Sequence, residues 1–138
     1  NLKTIVLCGP RIDSESFEKR EGVVLQPFTT DPMRFYAACD LAIIQGGLAT
    51  TMELTALSRP FIYFPLKDHF EQQDHVDARV KRYGAGVRME FDHTSPSELA
   101  DAIAANIGKT VDYKPVETDG AKKAASMILE ILQKGEAQ

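Results

Sequence analysis

Residues 45–53, with the sequence Gln-Gly-Gly-Leu-Ala-Thr-Thr-Met-Glu, contain the groups in this chain that are best suited to bind a ligand. Gly46 and Gly47 let a ligand come close to the backbone because they have no side chain. A helix that begins just after them points its free N–H groups and the positive end of its dipole at that ligand. Thr50 and Thr51 add hydroxyl donors at the same end. The stretch therefore predicts a site for an anion such as a phosphate.

Glu53 lies one helical turn further along the same stretch. Its carboxylate is suited to accept hydrogen bonds from the hydroxyl groups of a ribose, so the stretch as a whole predicts a nucleoside diphosphate site. A glycine turn between a strand and a helix also occurs purely for packing. The stretch matches neither G-x-G-x-x-G nor the P-loop pattern with its lysine, so both interpretations stay open at this point.

A second polar cluster spans residues 68–75, Asp-His-Phe-Glu-Gln-Gln-Asp-His. It combines carboxylates with amides, which are the groups that recognise adjacent hydroxyls of a sugar. The alternative is a solvated loop and helix start in which Asp68 serves only as the cap. His69 and His75 are six positions apart, which is not the spacing of a metal-binding pair on a helix, so we expect no metal site.

Alternating strand and helix patterns position both clusters. Short apolar runs bounded by glycine or proline predict strands at residues 3–8, 23–26, 41–44, 60–64 and 87–91. Helical spacing and capping residues predict helices at residues 11–20, 32–37, 48–58, 73–83, 96–107 and 118–133. This alternation predicts a Rossmann-like three-layer α/β/α domain with a mostly parallel sheet of about five strands. Both clusters would then lie at the carboxyl ends of the strands.

Composition narrows the class of protein. The charged fraction of 26% and the apolar fraction of 43% are ordinary for a globular domain, and the net charge of -4 argues against nucleic acid or an anionic membrane as the partner. No apolar run approaches the roughly 20 residues that span a bilayer. Cys8 and Cys39 are predicted to be reduced core residues, which favours a cytoplasmic location. The chain has no signal peptide and begins at Asn1, so we expect a piece of a longer protein.

Several motifs in fixed order make residues 28–86 resemble the donor-binding C-terminal domain of GT-B glycosyltransferases. This group includes the UDP-glycosyltransferases and the bacterial GlcNAc transferase that makes lipid II. In these enzymes a His-x-Gly-x-x-[Ser/Thr]-x-x-Glu segment follows an apolar strand led by an acid, and here Asp40 leads the strand that runs into residues 45–53. A strand bounded by prolines at residues 60–65, an acid-Gln pair, and Gly-Ala-Gly at residues 84–86 follow in the same order.

The resemblance implies a role for each matched residue. The donor diphosphate is expected to contact Gln45, Gly46, Gly47, Ala49, Thr50 and Thr51. Glu53 resembles the glutamate that binds the ribose, and the turn at Pro27 and Phe28 lies where the family contacts the uracil base. The donor sugar is expected to contact His69, Glu71, Gln72 and Gln73, in which the acid-Gln pair is Glu71-Gln72 or, with a shift of one, Gln73-Asp74. No metal or cofactor is implied besides the UDP-sugar donor.

The implied function is transfer of a sugar from a UDP-sugar to an acceptor hydroxyl. The sequence departs from the family pattern at Gln45, where many UDP-glycosyltransferases have His, although the lipid II branch also lacks that His. Residues 9–23 are too few for the usual opening of the domain, so its first strand and glycine-rich loop are expected upstream. The acceptor-binding N-terminal domain, which usually supplies the catalytic base, is also outside the chain. Residues 1–138 are therefore expected to be a fragment or subunit, inactive as an isolated hexosyltransferase.

Two other functions remain open at the level of the sequence. The first is a non-catalytic nucleotide-sugar-binding subunit that docks on a separate acceptor-binding chain. The second is a UDP-sugar epimerase of the same two-domain architecture, which would use the acids and histidines of residues 68–75 on the sugar. A nicotinamide-binding Rossmann domain is disfavoured, because no glycine fingerprint follows the first strand.

Overall fold

The computed structural model describes residues 2–135. The chain divides between Phe35 and Tyr36 into two compact units. The first unit holds two strands, whereas the second holds three strands and most of the helical structure. Helix α1, Met33–Ala38, crosses the division between the units and follows Pro32, in agreement with the predicted helix start.

The first unit is built on a two-stranded parallel sheet of β1, Thr4–Leu7, and β2, Val23–Gln26. The polar segment between these strands forms a single 3-10 turn, Ser14–Ser16, instead of a longer helix. The carboxylate of Asp13 caps this turn by accepting a hydrogen bond from the Glu15 backbone N–H at 3.0 Å. Apolar side chains on both strands are exposed, because a two-stranded sheet can cover little of its own surface.

The second unit is organised around a three-stranded parallel sheet. Its strands are β3, Ala42–Gln45, β4, Phe61–Phe64, and β5, Val87–Arg88, in the order β3-β4-β5. Strand β4 is central, and the exposed fractions of Ile62 and Tyr63 are only 0% and 2%. A continuous apolar run is what a parallel strand needs when helices cover both of its faces, and the Phe-Ile-Tyr-Phe sequence of β4 meets that need.

Helices follow each strand of the second unit. They are α2, Leu48–Ala56, α3, Asp77–Tyr83, α4, Pro96–Asn106, and α5, Gly120–Gly135, with a π-helical turn at Glu71–Val76 and a 3-10 turn at Phe91–His93. Helix α4 begins with a capping box, in which Ser95 and Glu98 exchange hydrogen bonds. Helix α5 has an apolar side, but its described side chains are all exposed.

The core of the second unit lies between α2, β4 and α3. It consists of Leu54, Phe61, Tyr63, Val76, Val80 and Ala85. Gly86 closes this core at the start of β5, where φ is 63° and a Cβ atom would overlap the ring of Phe61. Both the backbone conformation and the packing therefore require glycine at this position.

The predicted Rossmann-like α/β fold with parallel strands is confirmed. The five strands lie in two sheets of two and three strands, whereas the sequence pattern predicted a single sheet of about five strands. Strand β5 is shorter than predicted, because the chain turns into a 3-10 helix at Phe91. Cys8 and Cys39 are both free, as predicted. Within residues 2–135, no helix is both long enough and apolar enough to cross a bilayer.

Candidate functional site

Gly46 joins the two clusters that the sequence singled out. It extends β3 by donating its N–H to the carbonyl of Phe64 at 3.2 Å. A Cβ atom on Gly46 would lie 3.0 Å from Pro65 Cα and 3.4 Å from Gln72 Oε1. The close approach of the β3 end to the β4 end therefore requires glycine here, and it brings the Gly-Gly turn against the second cluster.

The packing that requires glycine at position 46 is absent at Gly47. Its φ of -71° and ψ of 139° are values that any residue adopts. A Cβ atom on Gly47 would meet no heavy atom of the described residues within 4 Å. Neither the backbone conformation nor the packing of the described chain explains this glycine. Its missing side chain instead leaves open space directly in front of helix α2.

The N-terminus of α2 is free to bind an anion. Gly47 is its N-cap residue and offers no side-chain cap, and the first turn contains no acidic residue. The first intrahelical bond runs from Thr51 N to the Gly47 carbonyl at 3.1 Å. The N–H groups of Leu48, Ala49 and Thr50 find no acceptor among residues 2–135. Three unsatisfied donors and the positive end of the helix dipole thus face the space beside Gly47.

The two threonines of this helix have different surroundings. Thr51 is fully buried, and its hydroxyl lies 2.9 Å from the carbonyl oxygens of both Gly47 and Leu48, to which it donates. The Thr51 hydroxyl is thus engaged inside its own helix, in contrast to its expected role as a phosphate donor. Thr50 is half-buried, and its hydroxyl has no hydrogen-bond partner in the described part of the chain. Thr50 is therefore the hydroxyl that remains for a ligand.

Three further predicted residues lie on the same strand-turn-helix element. Gln45 ends β3 with an exposed side chain, and Ala49 is exposed in the first turn of α2. Glu53 is half-buried, and its carboxylate pairs with no basic side chain within residues 2–135. It is therefore available to accept hydrogen bonds from a ligand.

In the second cluster, two adjacent glutamines bind the backbone of the same residue, Leu66. Gln72 is only 7% exposed, and its Oε1 accepts a hydrogen bond from Leu66 N at 2.9 Å. Gln73 Nε2 donates to the Leu66 carbonyl at 2.9 Å. Both side chains project from the π-helical turn Glu71–Val76, an irregularity that is common at functional sites. The pair fixes the loop that follows β4.

A partly buried polar network lies beside Gln73. Arg88 donates to Gln73 Oε1 and forms ion pairs with Asp77 at 3.0 Å and with Glu90 at 2.6 Å. Burial acts to raise the pKa of Asp77, but hydrogen bonds from Lys81, Arg88 and Tyr63 outweigh it and lower that pKa. Asp77 therefore stays ionised. Burial, together with the hydrogen bond to Asp77, raises the pKa of the Tyr63 hydroxyl, which therefore stays a donor.

An open polar cleft of about 550 Å³ lies beside this network. Its walls are formed by Lys67, Asp68, His69, Phe70, Gln73, Asp74 and Glu90. Of the residues predicted to contact the sugar, His69 and Gln73 line the cleft. Gln72 lies beside Gly46, and Glu71 is exposed outside the lining. His69 Nδ1 accepts a hydrogen bond from Gln72 N at 3.4 Å.

Asp68 adopts a left-handed conformation with φ of 60° in the loop before the π-helical turn. The alternative interpretation made this residue a helix cap, but the helix begins after Phe70 and the described residues give it no side-chain cap. Asp68 is instead a turn residue, a role that aspartate tolerates better than most residues.

The turn predicted to contact a base lies in the first unit. Pro27 and Phe28 follow β2 directly, and both are exposed, with an exposed fraction of 57% for Phe28. A free aromatic face of this kind can stack on a base.

Four residues at the cleft were not predicted from the sequence, namely Tyr63, Asp77 and Arg88 behind it and Glu90 in its wall. One signal was present, because Arg88 follows Gly86 in a strand that must pair in a parallel sheet. A partly buried arginine in such a strand favours a carboxylate partner, and Asp77 starts the helix just before that strand.

The chain is similar to known proteins over most of its length. The model of the glycosyltransferase family 28 C-terminal domain matches residues 1–134. An uncharacterized glycosyltransferase of Methanosarcina mazei is 34% identical over 108 residues, which are 78% of this chain and 28% of that protein. The UDP-N-acetylglucosamine--N-acetylmuramyl-(pentapeptide) pyrophosphoryl-undecaprenol N-acetylglucosamine transferase of Rhodopseudomonas palustris is 35% identical over 82 residues, or 59% of this chain and 22% of that protein.

The matched segment thus spans about a quarter of the length of these curated relatives. The family match covers both units and every residue of the candidate site. The chain belongs to glycosyltransferase family 28, in which it is the C-terminal domain.

Proposed function

We propose that this glycosyltransferase domain binds a UDP-sugar, the donor whose sugar is transferred to an acceptor hydroxyl. The observation that carries the proposal is the uncapped N-terminus of α2 behind Gly47, where three N–H groups face open space. Such a terminus is suited to a diphosphate. UDP is favoured over other nucleotides because the Rhodopseudomonas relative is named for the UDP-sugar UDP-N-acetylglucosamine.

The helix terminus would act on the leaving group. Negative charge builds up on the diphosphate oxygens as the bond between the sugar and UDP breaks. Donors that are already in place gain interaction energy as this charge develops, so they stabilise the transition state more than the ground state. The side chain of Thr50 would add a fourth donor. Deprotonation of the acceptor hydroxyl is proposed to belong to the remainder of the enzyme.

Other residues would bind the ribose and the sugar of the donor. The free carboxylate of Glu53 would accept hydrogen bonds from the ribose hydroxyls. The sugar would occupy the polar cleft beside His69 and Gln73. Because Gln72 Oε1 already binds Leu66 N, only the amide N–H groups of Gln72 remain to donate to the ligand.

Calorimetric titration tests this proposal. Wild-type protein is expected to bind UDP and to bind ADP and NAD at least about tenfold more weakly, since the proposed donor is a UDP-sugar and the base is what distinguishes UDP from ADP. Thr50→Ala and Glu53→Ala are each expected to weaken UDP binding about tenfold, the usual cost of a hydrogen bond to a charged group. Glu130→Ala is the control, because this exposed carboxylate on α5 lies outside the site. Equal binding of all three nucleotides would contradict the proposal.

A second candidate function is a donor-binding subunit of a two-chain transferase. Helix α5 favours it, because Met127, Ile128, Leu129, Ile131 and Leu132 are each more than half exposed. An apolar surface of this kind indicates contact with another protein surface. In both cases the isolated domain is expected to bind donor without transferring sugar, and turnover by residues 1–138 alone would contradict both.

A further inference from the structure

Both ends of the Gln73 amide have a partner within the protein. Its Nε2 donates to the Leu66 carbonyl at 2.9 Å, and its Oε1 accepts from Arg88 Nη2. The Gln73 backbone carbonyl oxygen also accepts from Arg88 Nη1 at 3.4 Å. Gln73 therefore connects Arg88 to the loop that follows β4, in addition to the sugar contact that its sequence position predicts.

Arg88 is itself held in a fixed orientation. Its guanidinium donates to Glu90 Oε1 from Nε at 2.8 Å and pairs with Asp77 Oδ1 at 3.0 Å. Tyr63 donates to the same Asp77 oxygen at 2.8 Å from the central strand of the sheet. A planar guanidinium that contacts two carboxylates and one amide cannot rotate without losing charge-assisted hydrogen bonds.

The loop that Gln73 holds forms part of the candidate site. Leu66 is fixed through its N–H by Gln72 and through its carbonyl by Gln73. The preceding residue, Pro65, packs against Gly46, and residues 67–70 line the polar cleft. The position of the cleft wall relative to the Gly-Gly turn thus depends on how the backbone of Leu66 is held.

We propose that Arg88 is a positioning residue that sets the cleft wall through Gln73 and so determines affinity for the sugar part of the donor. The inference rests on the proposed function, because it assumes that the cleft receives the sugar. Arg88 touches neither the diphosphate site nor the ribose site in this scheme. Its effect should therefore appear in the difference in affinity between a UDP-sugar and UDP, and not in UDP binding itself.

Arg88→Lys and Gln73→Met test the inference with UDP-N-acetylglucosamine and UDP as probes. Arg88→Lys keeps the charge beside Asp77 but loses the fork that reaches Gln73, and Gln73→Met keeps the Arg88–Asp77 pair. Each variant is expected to bind UDP-N-acetylglucosamine about tenfold more weakly and UDP within about twofold of wild type. The double variant should be no weaker than either single one, since both break one connection.

Lys81→Met is the matched control. Lys81 pairs with Asp77 at 2.7 Å from the exposed side and does not contact Gln73. It should leave both affinities unchanged. Hydrogen exchange at the Leu66 amide provides a readout without ligand, and it is expected to be faster in Arg88→Lys and Gln73→Met than in wild type and Lys81→Met.

The outcomes separate this inference from the proposed function. Equal loss of UDP and UDP-N-acetylglucosamine binding in Arg88→Lys would indicate a general structural role and overturn the inference. Unchanged affinity for both ligands would overturn it as well. If wild-type protein bound neither ligand, the proposed function would fail. Exchange at Leu66 would then decide whether Arg88 positions the loop, and an unchanged exchange rate would overturn that role.

Discussion

Gly46 and Gly47 are adjacent in the sequence, but different surroundings explain them. A side chain on Gly46 would press against the Pro65 backbone at 3.0 Å, whereas a side chain on Gly47 would point into open space. The first glycine serves the packing of two strand ends. The second serves no packing contact in the described chain, and we propose that it leaves room for a ligand.

This difference predicts opposite effects on stability. Gly46→Ala is expected to lower the free energy of unfolding by about 1–3 kcal/mol, because the Pro65 backbone must shift. Gly47→Ala should be neutral or raise it by up to about 1 kcal/mol, because its φ of -71° suits alanine and the unfolded chain loses freedom. Urea denaturation followed by circular dichroism measures both values. A Gly47→Ala variant as unstable as Gly46→Ala would show that packing explains both glycines.

A second prediction for a single residue is that Asp77 makes the free energy of unfolding depend on pH. The pKa of Asp77 in the folded protein lies below 3.8, because the three hydrogen bonds to its carboxylate outweigh the effect of burial. The unfolded chain therefore takes up the proton first as the pH falls. The stabilisation is present in full above about pH 5 and is lost as the pH falls through the lower folded pKa.

Asp77→Asn should remove this contribution. Its free energy of unfolding is expected to be lower than that of wild type at neutral pH and to fall less between about pH 5 and about pH 3. Urea denaturation at several pH values makes the comparison, with the exposed Asp101→Asn as control. Parallel pH profiles for wild type and Asp77→Asn would contradict the assigned role.

At the scale of elements, helix α5 stands apart from the core. Its described side chains are all exposed, and the ion pairs of Lys123 with Glu117 and Asp119 are local to its first turn. Exposed pairs of this kind contribute little to stability. The core between α2, β4 and α3 therefore does not depend on α5.

Truncation after Glu117 tests this independence. The shortened chain should keep its Tm within about 2 °C of the full chain, since no core contact is lost. It should also self-associate less, because the exposed apolar side of α5 is removed. Thermal scans and sedimentation velocity measure the two effects. A large fall in Tm would mean that α5 covers part of the core in solution.

Some features of the strands, turns and helices can be predicted from the sequence, and others cannot. The strand, glycine turn and helix of residues 41–56 were predictable, because a short β-branched run, two glycines and helical spacing are local signals. The roles of Gln72 and Gln73 were not, because they depend on Leu66 and on Arg88, which lies 15 residues from Gln73. The π-helical turn was missed for the same reason, since its extra residue is stabilised by tertiary contacts.

Strand pairing was predicted only in part. Every pair in the structure is parallel, which follows from the alternation of strands and helices along the chain. The separation of the five strands into two sheets does not follow from that alternation, because apolar runs show where strands form and not which neighbours they pair with.

At the scale of the whole molecule, the chain spans about a quarter of the length of its curated relatives. The candidate site offers donors for a leaving diphosphate, and none of its residues is assigned as a base for the acceptor. We therefore propose a donor site that works together with a second part of the enzyme. The central proposal is that the open N-terminus of α2 binds the diphosphate.

Titration of UDP against Gly47→Ala and Gly120→Ala tests that claim most directly. Both glycines precede or begin a helix, and a Cβ atom on either would meet no described atom within 4 Å. We predict that Gly47→Ala weakens UDP binding at least about tenfold without loss of stability, because its methyl group occupies the space of the phosphate. Gly120→Ala should bind UDP as wild type does. Equal UDP affinity in the two variants would contradict the proposed diphosphate site.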